Sequence, residues 1–255
     1  ALPFDDGPGQ YTSQVLDILA RYHTHATFFE IGENVKDRPD LVQKILAGGH
    51  VIGDHTWSHP DLTSLSGNDR KSQLGDTKAE IEKAAGAGYR VRLMRPPYGG
   101  TDAKVNRLAR KLGLLPVLWS DDSQDWTAGA TATEIARRVI DGVRPGSIIL
   151  LHDGGGNRAQ TVAALPHLIQ ALKARGYVFT TVDGLDASLA SPYGQRNGVS
   201  STLHGVAIVA VFRLVYSERR LFMWIVVATA LLSLLRVAVA GPFALRQYRR
   251  TRRRR

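Results

Sequence analysis

Across the first 190 residues a short apolar run alternates with a longer amphipathic one, and this repeat limits the available folds more than any other feature of the chain. The short runs have strand length: Leu2–Asp5, Ala26–Ile31, His50–Gly53, Val91–Met94, Pro116–Ser120, Ser147–His152 and Tyr177–Thr181. Between them lie segments that read as amphipathic helices: Gln10–Tyr22, Pro39–Ala47, Asp69–Ala85, Ala103–Leu112, Ala132–Asp141 and Ala159–Arg175. Repeated strand–helix units predict an α/β architecture on a parallel sheet. Seven strands in a stretch of this length fit a compact, incomplete barrel; a doubly wound sheet is the alternative. In either case function collects at the C-terminal ends of the strands.

Polar clusters stand where that rule places them. Asp5-Asp6-Gly7-Pro8, His55-Thr56-Trp57-Ser58-His59, Arg95-Pro96-Pro97-Tyr98-Gly99, Asp122-Ser123-Gln124-Asp125-Trp126 and His152-Asp153 each follow a predicted strand. His55 and His59 are four apart, so a helical turn there would bring both imidazoles to one face. Two His and one carboxylate bind a divalent metal and leave positions open for water and substrate. The Asp5-Asp6 pair supplies that carboxylate: one Asp can be a ligand while the other serves as general base. Arg95 can pair with the base and hold it ionised. His152, delivered to the rim by Ile148–Leu151, can act as general acid, oriented by a carboxylate such as Asp125. Trp126 and Tyr98 can line a groove for sugars or simply pack in the core. Each feature also has an ordinary structural reading: a turn for Asp-Asp-Gly-Pro, a surface Arg before Pro-Pro, a core His.

Charge separates the chain into two parts. Residues 1–202 hold 22 basic and 22 acidic residues, so the net +10 arises in residues 203–255, where eleven Arg face the single acid Glu218. A neutral body argues against nucleic acid as a partner. The absence of Cys excludes a disulfide scaffold, thiolate zinc ligands and thiol catalysis. Residues 191–202 read as a linker, 203–220 as an interfacial or amphipathic segment, and 221–245 as a transmembrane helix broken only by Arg236. One central Arg costs about 2.5–3.5 kcal/mol, and each Leu, Ile, Phe or Val returns about 0.3–0.6 kcal/mol, so the sum is near balance. The Arg-rich tail 246–255 then places the C-terminus in the cytoplasm and the body on the extracytoplasmic side of the membrane. The chain begins almost at its first strand, without Met or a signal peptide, and is expected to have an incomplete or processed N-terminus.

In order and spacing, Phe4–Pro8, His55–His59, Arg95–Gly99, Asp122–Trp126 and Leu150–Asp153 resemble the five motifs of the polysaccharide deacetylases, carbohydrate esterase family 4. The resemblance covers roughly residues 1–190 and implies a distorted (β/α) barrel of seven or eight strands. It implies Asp5 as catalytic base, Asp6, His55 and His59 as metal ligands, and Arg95 as the residue that positions the base. It further implies the Tyr98 backbone N–H as oxyanion donor, Asp125 as the tether of the acid, His152 as the acid, and Trp126 and Leu150 as walls of the acetyl pocket. The implied cofactor is one divalent ion, Zn²⁺ by family expectation, with Co²⁺ or another ion as alternatives. The implied reaction is metal-assisted removal of N-acetyl groups from a polysaccharide built on N-acetylglucosamine, such as chitooligosaccharide, peptidoglycan or exopolysaccharide. An O-acetyl esterase on xylan and a non-catalytic glycan-binding protein are the competing readings. Oligomeric state and exact glycan are not legible. The family usually has Thr or another strand former where Pro3 stands, so fraying of the first strand is expected. Domain, linker, span and basic tail together also resemble the front half of bacterial deacetylase–glycosyltransferase fusions.

Overall fold

The computed structural model describes residues 1–185, and all seven strands found there are parallel. They are β1 Pro3–Gly7, β2 Thr27–Glu30, β3 Val51–Asp54, β4 Leu93–Met94, β5 Leu115–Pro116, β6 Asp121–Asp122 and β7 Ile149–His152. The helices are α1 Thr12–Arg21, α2 Gly32–Asp37, α3 Pro39–Ala47, α4 Gly67–Ala85, α5 Ala103–Lys111, α6 Ala132–Gly142 and α7 Ala159–Ala174. Local chemistry sets several of their starts. Pro39 occupies the first turn of α3, where a missing N–H costs nothing. Ser66 caps α4, Asp102 caps α5 through the N–H groups of Lys104 and Val105, and Thr131 and Glu134 form a reciprocal capping box on α6.

The strand order is β5-β4-β3-β2-β1-β7-β6. Every sequential pair of strands is adjacent except β5 and β6, and β7 closes onto β1. A doubly wound sheet would reverse direction at a switch point; this one follows a circle. Only residues 117–120 join β5 to β6, yet these strands form opposite edges of the sheet. Laid flat, seven strands would separate the edges by about 29 Å, whereas five residue steps span at most about 18 Å. The sheet must therefore curl, and the result is an incomplete barrel.

Alternation along the strands sorts the side chains. Leu2, Phe4, Phe28, Ile52, Met94, Ile149 and Leu151 belong to the main core with residues of the helices. The intervening positions Phe29 and Leu93 join Val117 and Val182 in a second, smaller cluster. Pro3 does not fray the barrel. Pairing with β2 begins at Pro3 and pairing with β7 at Phe4, so the missing N–H falls at the start of one ladder.

Three expectations change. Pro116–Ser120 is not one strand: β5 ends at Pro116, the chain crosses between the edges, and β6 begins at Asp121. Tyr177–Thr181 forms no strand; the Val182 N–H instead donates to Thr27 Oγ1 at 2.9 Å, and Val182 packs beside Phe29. No eighth strand is thus found among the described residues. The short helix α2 lies between β2 and α3, where the sequence shows no long apolar period. The linker, the interfacial segment, the span 221–245 and the basic tail lie outside the described residues. No helix among the described residues is long and apolar enough to cross a membrane.

Candidate active site and metal centre

The site begins with an irregularity in the central strand. Two successive residues of a regular strand point to opposite faces, so Asp5 and Asp6 could not serve one centre. Asp5 pairs with Phe29 and Gly7 with Glu30, which leaves Asp6 as an extra residue in a bulge, at φ +72°. The bulge turns both carboxylates to the same rim. Left-handed backbone also recurs at Thr56, His59, Tyr98 and Gln124, so among the described residues five of the six non-glycine positions with positive φ lie at the site, in its loops or in the β1 bulge. Such strain is retained where tertiary structure over-determines it. The two imidazoles accordingly meet without the expected helical turn. Left-handed Thr56 and His59 fold the loop back and bring the rings to 4.9 Å between centroids.

Arg95 is fully buried, which removes its surface reading. Its Nη1 donates to Asp5 Oδ1 at 2.8 Å, Nε to the Val117 carbonyl at 3.3 Å, and its guanidinium stacks 4.4 Å above the Phe29 ring. The candidate base is therefore held by a buried, cation-assisted bond.

Asp6 Oδ1 lies 3.3 Å from His55 Nε2 and 3.2 Å from His59 Nε2, and the three residues offer one ligand atom each within 4.8 Å of one another. His55 Nδ1 faces the Arg95 carbonyl at 2.7 Å. A carbonyl only accepts, so Nδ1 carries a proton, and Nε2 is the ring atom that faces the carboxylate and is available to a metal. Asp6 Oδ1 is buried, and what it faces at this range is the pair of ring nitrogens. Two imidazole nitrogens and one buried carboxylate oxygen converging on a point fit a divalent cation of the Zn²⁺ type. Burial opposes the charge on Asp6, but the bond and charge of His55 and the charges of His152 and His59 outweigh it and hold the group well below the usual carboxylate range. Burial, reinforced by His55 and opposed by Asp6 and Asp5, lowers His59, the direction that suits the neutral ring a ligand must be.

The candidate acid sits across the rim. His152 is the register partner of Asp5 in the β1–β7 ladder. Its Nδ1 meets Asp125 Oδ1 at 2.7 Å, and its backbone N–H donates to Asp125 Oδ2 at 2.9 Å. Burial disfavours the charged ring, yet the bond and charge of Asp125, with Asp5 and Asp6 behind, raise His152 above its ordinary value. Burial likewise works against the Asp125 charge, and His152, Thr161 and Arg158 together hold it low. The pair is thus arranged to keep a proton on the imidazole.

Tyr98 lies in a short turn, Pro97–Gly99, with its ring edge on His59 and its hydroxyl 3.2 Å from His59 Nδ1. Trp126 is 48% exposed, and its indole N–H donates to Asp122 Oδ1 at 3.3 Å. Leu150 is buried on β7, on the same face as His152, and joins neither apolar cluster.

Several supporting residues escape sequence reasoning. Thr161 donates to Asp125 Oδ2 at 2.8 Å, and Asn34 donates to the Asp6 carbonyl at 2.9 Å. Glu30 and Asp153, both fully buried, crowd Gly7 so closely that a Cβ there would meet their oxygens at 2.5–2.7 Å. Burial, then the charges of Asp153, Asp5 and Asp6, push Glu30 well above the carboxylate range. Asp153 is pushed up to about 7, by burial first, and accepts a bond from Thr12. The upward direction of both groups favours fewer negative charges beneath the site. Only Asp153 carried a sequence signal, through its place beside His152; the others are brought in by tertiary contacts.

Residues 1–117 match the polysaccharide deacetylase family. A chitooligosaccharide deacetylase of Azorhizobium caulinodans is 39% identical over 188 residues, 69% of this chain and 89% of that protein. A peptidoglycan-N-acetylglucosamine deacetylase of Bacillus cereus is 42% identical over 188 residues, 72% of this chain and 86% of that protein. The solved structure of a peptidoglycan deacetylase from Bacillus subtilis superimposes with a TM-score of 0.67 at 37% identity, covering 74% of this chain and 90% of that one.

Proposed function

The chain belongs to the polysaccharide deacetylase family, and we propose that it is a metal-dependent hydrolase removing N-acetyl groups from a polysaccharide containing N-acetylglucosamine. The observation that carries this reading is the placement, on one rim, of an Arg-held carboxylate, an Asp-His-His ligand set and a carboxylate-tethered imidazole. A divalent ion held by Asp6, His55 and His59, Zn²⁺ by its fit to one oxygen and two imidazole donors, would supply Lewis acidity toward water and the acetamide carbonyl. Asp5, fixed by Arg95, accepts a proton from the attacking water. The carbonyl oxygen gains charge as the C–O bond forms, and the Tyr98 N–H is the donor that the family likeness assigns to it. His152 gives its proton to the amide nitrogen as the C–N bond breaks, releasing acetate and a free amine. Trp126 and Leu150 wall the space for the acetyl methyl group.

An amide leaving group needs that proton more than an ester does, and the His152–Asp125 pair is placed to supply it. Acetate release from N-acetylglucosamine oligomers and from acetylated xylan, with and without chelator, tests the assignment. Faster turnover of the oligomers, abolished by chelator and in Asp5→Asn, is expected. Unaltered activity in Asp5→Asn or His152→Ala would overturn the roles given to these residues.

We further propose that residues 221–245 tether the enzyme to a membrane, with the catalytic domain extracytoplasmic and the tail 246–255 cytoplasmic. The uncharged run Leu221–Leu235 and the clustered Arg beyond it support this reading. Reporter fusions at the C-terminus test it, a periplasmic-type signal being the contrary result.

A further inference from the structure

Arg158 precedes α7 and is 7% exposed, yet its nitrogens bond to main-chain carbonyls and to no carboxylate among the described residues. Nε donates to the Gly154 carbonyl at 2.6 Å, Nη2 to the Gly155 carbonyl at 3.1 Å, and Nη1 to the Asp125 carbonyl at 3.3 Å. One planar cation therefore fastens two loops that are distant in sequence. A guanidinium buried with no carboxylate in hydrogen-bond contact is costly; its three bonds to carbonyls, and the charge of Asp125 nearby, must offset the loss of water.

Both fastened loops belong to the catalytic rim. Gly154 and Gly155 lie directly against Asp6. A Cβ at Gly154 would stand 2.0 Å from the Asp6 carbonyl oxygen, and one at Gly155 would stand 2.2 Å from Asp6 Oδ2. Gly155 is also left-handed, at φ +66°. The glycine loop is thus the wall that confines the metal-binding carboxylate. On its other side, Arg158 grips the backbone of Asp125, whose carboxylate holds His152 by two bonds. The covalent link between the loops runs through α6 and β7, more than twenty residues, so Arg158 adds a short connection beside the Asp125–His152 bonds.

We propose that Arg158 is a positioning residue for deacetylation, which presses the Gly154–Gly155 loop onto Asp6 and keeps the His152–Asp125 pair in register with the metal ligands. The inference rests on the deacetylase reading, because that reading is what requires the two halves to act on one bond. Arg suits the task where Lys does not. Its donors are spread over a rigid plane and reach three carbonyls together, whereas an ammonium is a point charge on a flexible stem.

The test uses the full chain as wild type, Arg158→Lys and Arg158→Gln. Three quantities are measured: the Zn²⁺ dissociation constant by chelator competition, amide hydrogen exchange, and kcat and KM for acetate release from N-acetylglucosamine oligomers. For Arg158→Lys, Zn²⁺ is expected to bind about 10-fold more weakly, in the range found for outer partners of metal ligands. Exchange should rise in both 123–127 and 153–157. The kcat should fall about 100-fold, as misplacement near 1 Å does, with KM changed less than about twofold. If Arg158→Gln does not fold, the Lys variant decides. A lowered melting temperature with unchanged Zn²⁺ affinity and kcat would mark Arg158 as structural only and overturn the proposal, as would faster exchange confined to 153–157. Should the wild type release no acetate, the deacetylase reading fails, while metal affinity and exchange still decide whether Arg158 links the loops.

Discussion

Replacing Asp125 with Asn removes one charge from the acid half of the site and alters little else in shape. In the wild type both carboxylate oxygens are engaged: Oδ1 with His152 Nδ1 at 2.7 Å, Oδ2 with the His152 N–H at 2.9 Å and Thr161 Oγ1 at 2.8 Å. An amide offers one acceptor and one donor. If its oxygen faces the ring, its NH₂ meets two donors; if it flips, the NH₂ meets Nδ1 and enforces the wrong tautomer. Leaving one buried donor unsatisfied costs about 1–3 kcal/mol. The lost bond to a charged ring is worth about 1.5–3 kcal/mol. Asp125 raises His152, and the protonated ring is the active acid, so activity should fall on the alkaline side as the ring loses its proton. In Asp125→Asn that limb should move toward lower pH, and kcat should drop about 100-fold or more. The pH dependence of acetate release, measured for both proteins, provides the assay. Stability changes in a defined direction as well. A raised His contributes stability fully below its ordinary value of 6.5, and this is lost as pH rises through the raised one, so the stability gap between variant and wild type should narrow in alkali. An alkaline limb that stays in place, with kcat within about threefold of wild type, would refute the assigned coupling.

Other consequences concern the metal half and the core. Arg95→Met leaves Asp5 buried without its partner and should destabilise the protein by about 3–5 kcal/mol in urea titrations, with partial recovery in Arg95→Met/Asp5→Asn; equal losses in the single and double variants would contradict the pairing. Gly154→Ala places a methyl group 2.0 Å from the Asp6 carbonyl oxygen and should weaken Zn²⁺ binding at least about 10-fold, measurable by chelator competition; wild-type affinity would show that the loop does not confine Asp6. His50, lowered to about 4 by burial and by His25, accepts a bond from the Ala26 N–H that only the neutral ring can accept. Its stability contribution is present above 6.5 and is lost as pH falls toward 4, about 2 kcal/mol after allowance for partial solvent access. Denaturation midpoints of His50→Gln should change less between pH 7 and pH 5 than those of wild type, and parallel changes would disprove the assignment.

Much of this architecture is legible in the residues because its causes are local. Apolar spacing marks α3 as Pro39–Ala47, and capping side chains at Ser66, Asp102 and Thr131 fix other helix starts within a residue or two. The order of polar clusters after strands likewise identifies Asp5, Asp6, His55, His59, Arg95, Asp125 and His152, because strand ends must gather at one rim. Tyr177–Thr181 shows the limit: its apolar composition suits a strand, but it finds no edge to pair with and Val182 packs on Phe29 instead.

The sequence by itself thus determined the succession of strands and helices, the chemistry available at the rim and the neutrality of the body, since each depends on residue type and short-range spacing. Tertiary structure alone decided how that chemistry converges. Curling of the sheet sets His152 beside Asp5, and the bulge at Asp6 turns adjacent carboxylates to one face. Left-handed Thr56 and His59, and not a helix, bring the imidazoles together, while Arg95, Arg158 and Thr161 reach partners at least 22 residues away. Long-range packing makes these contacts, and it holds the backbone in conformations that no local preference would select.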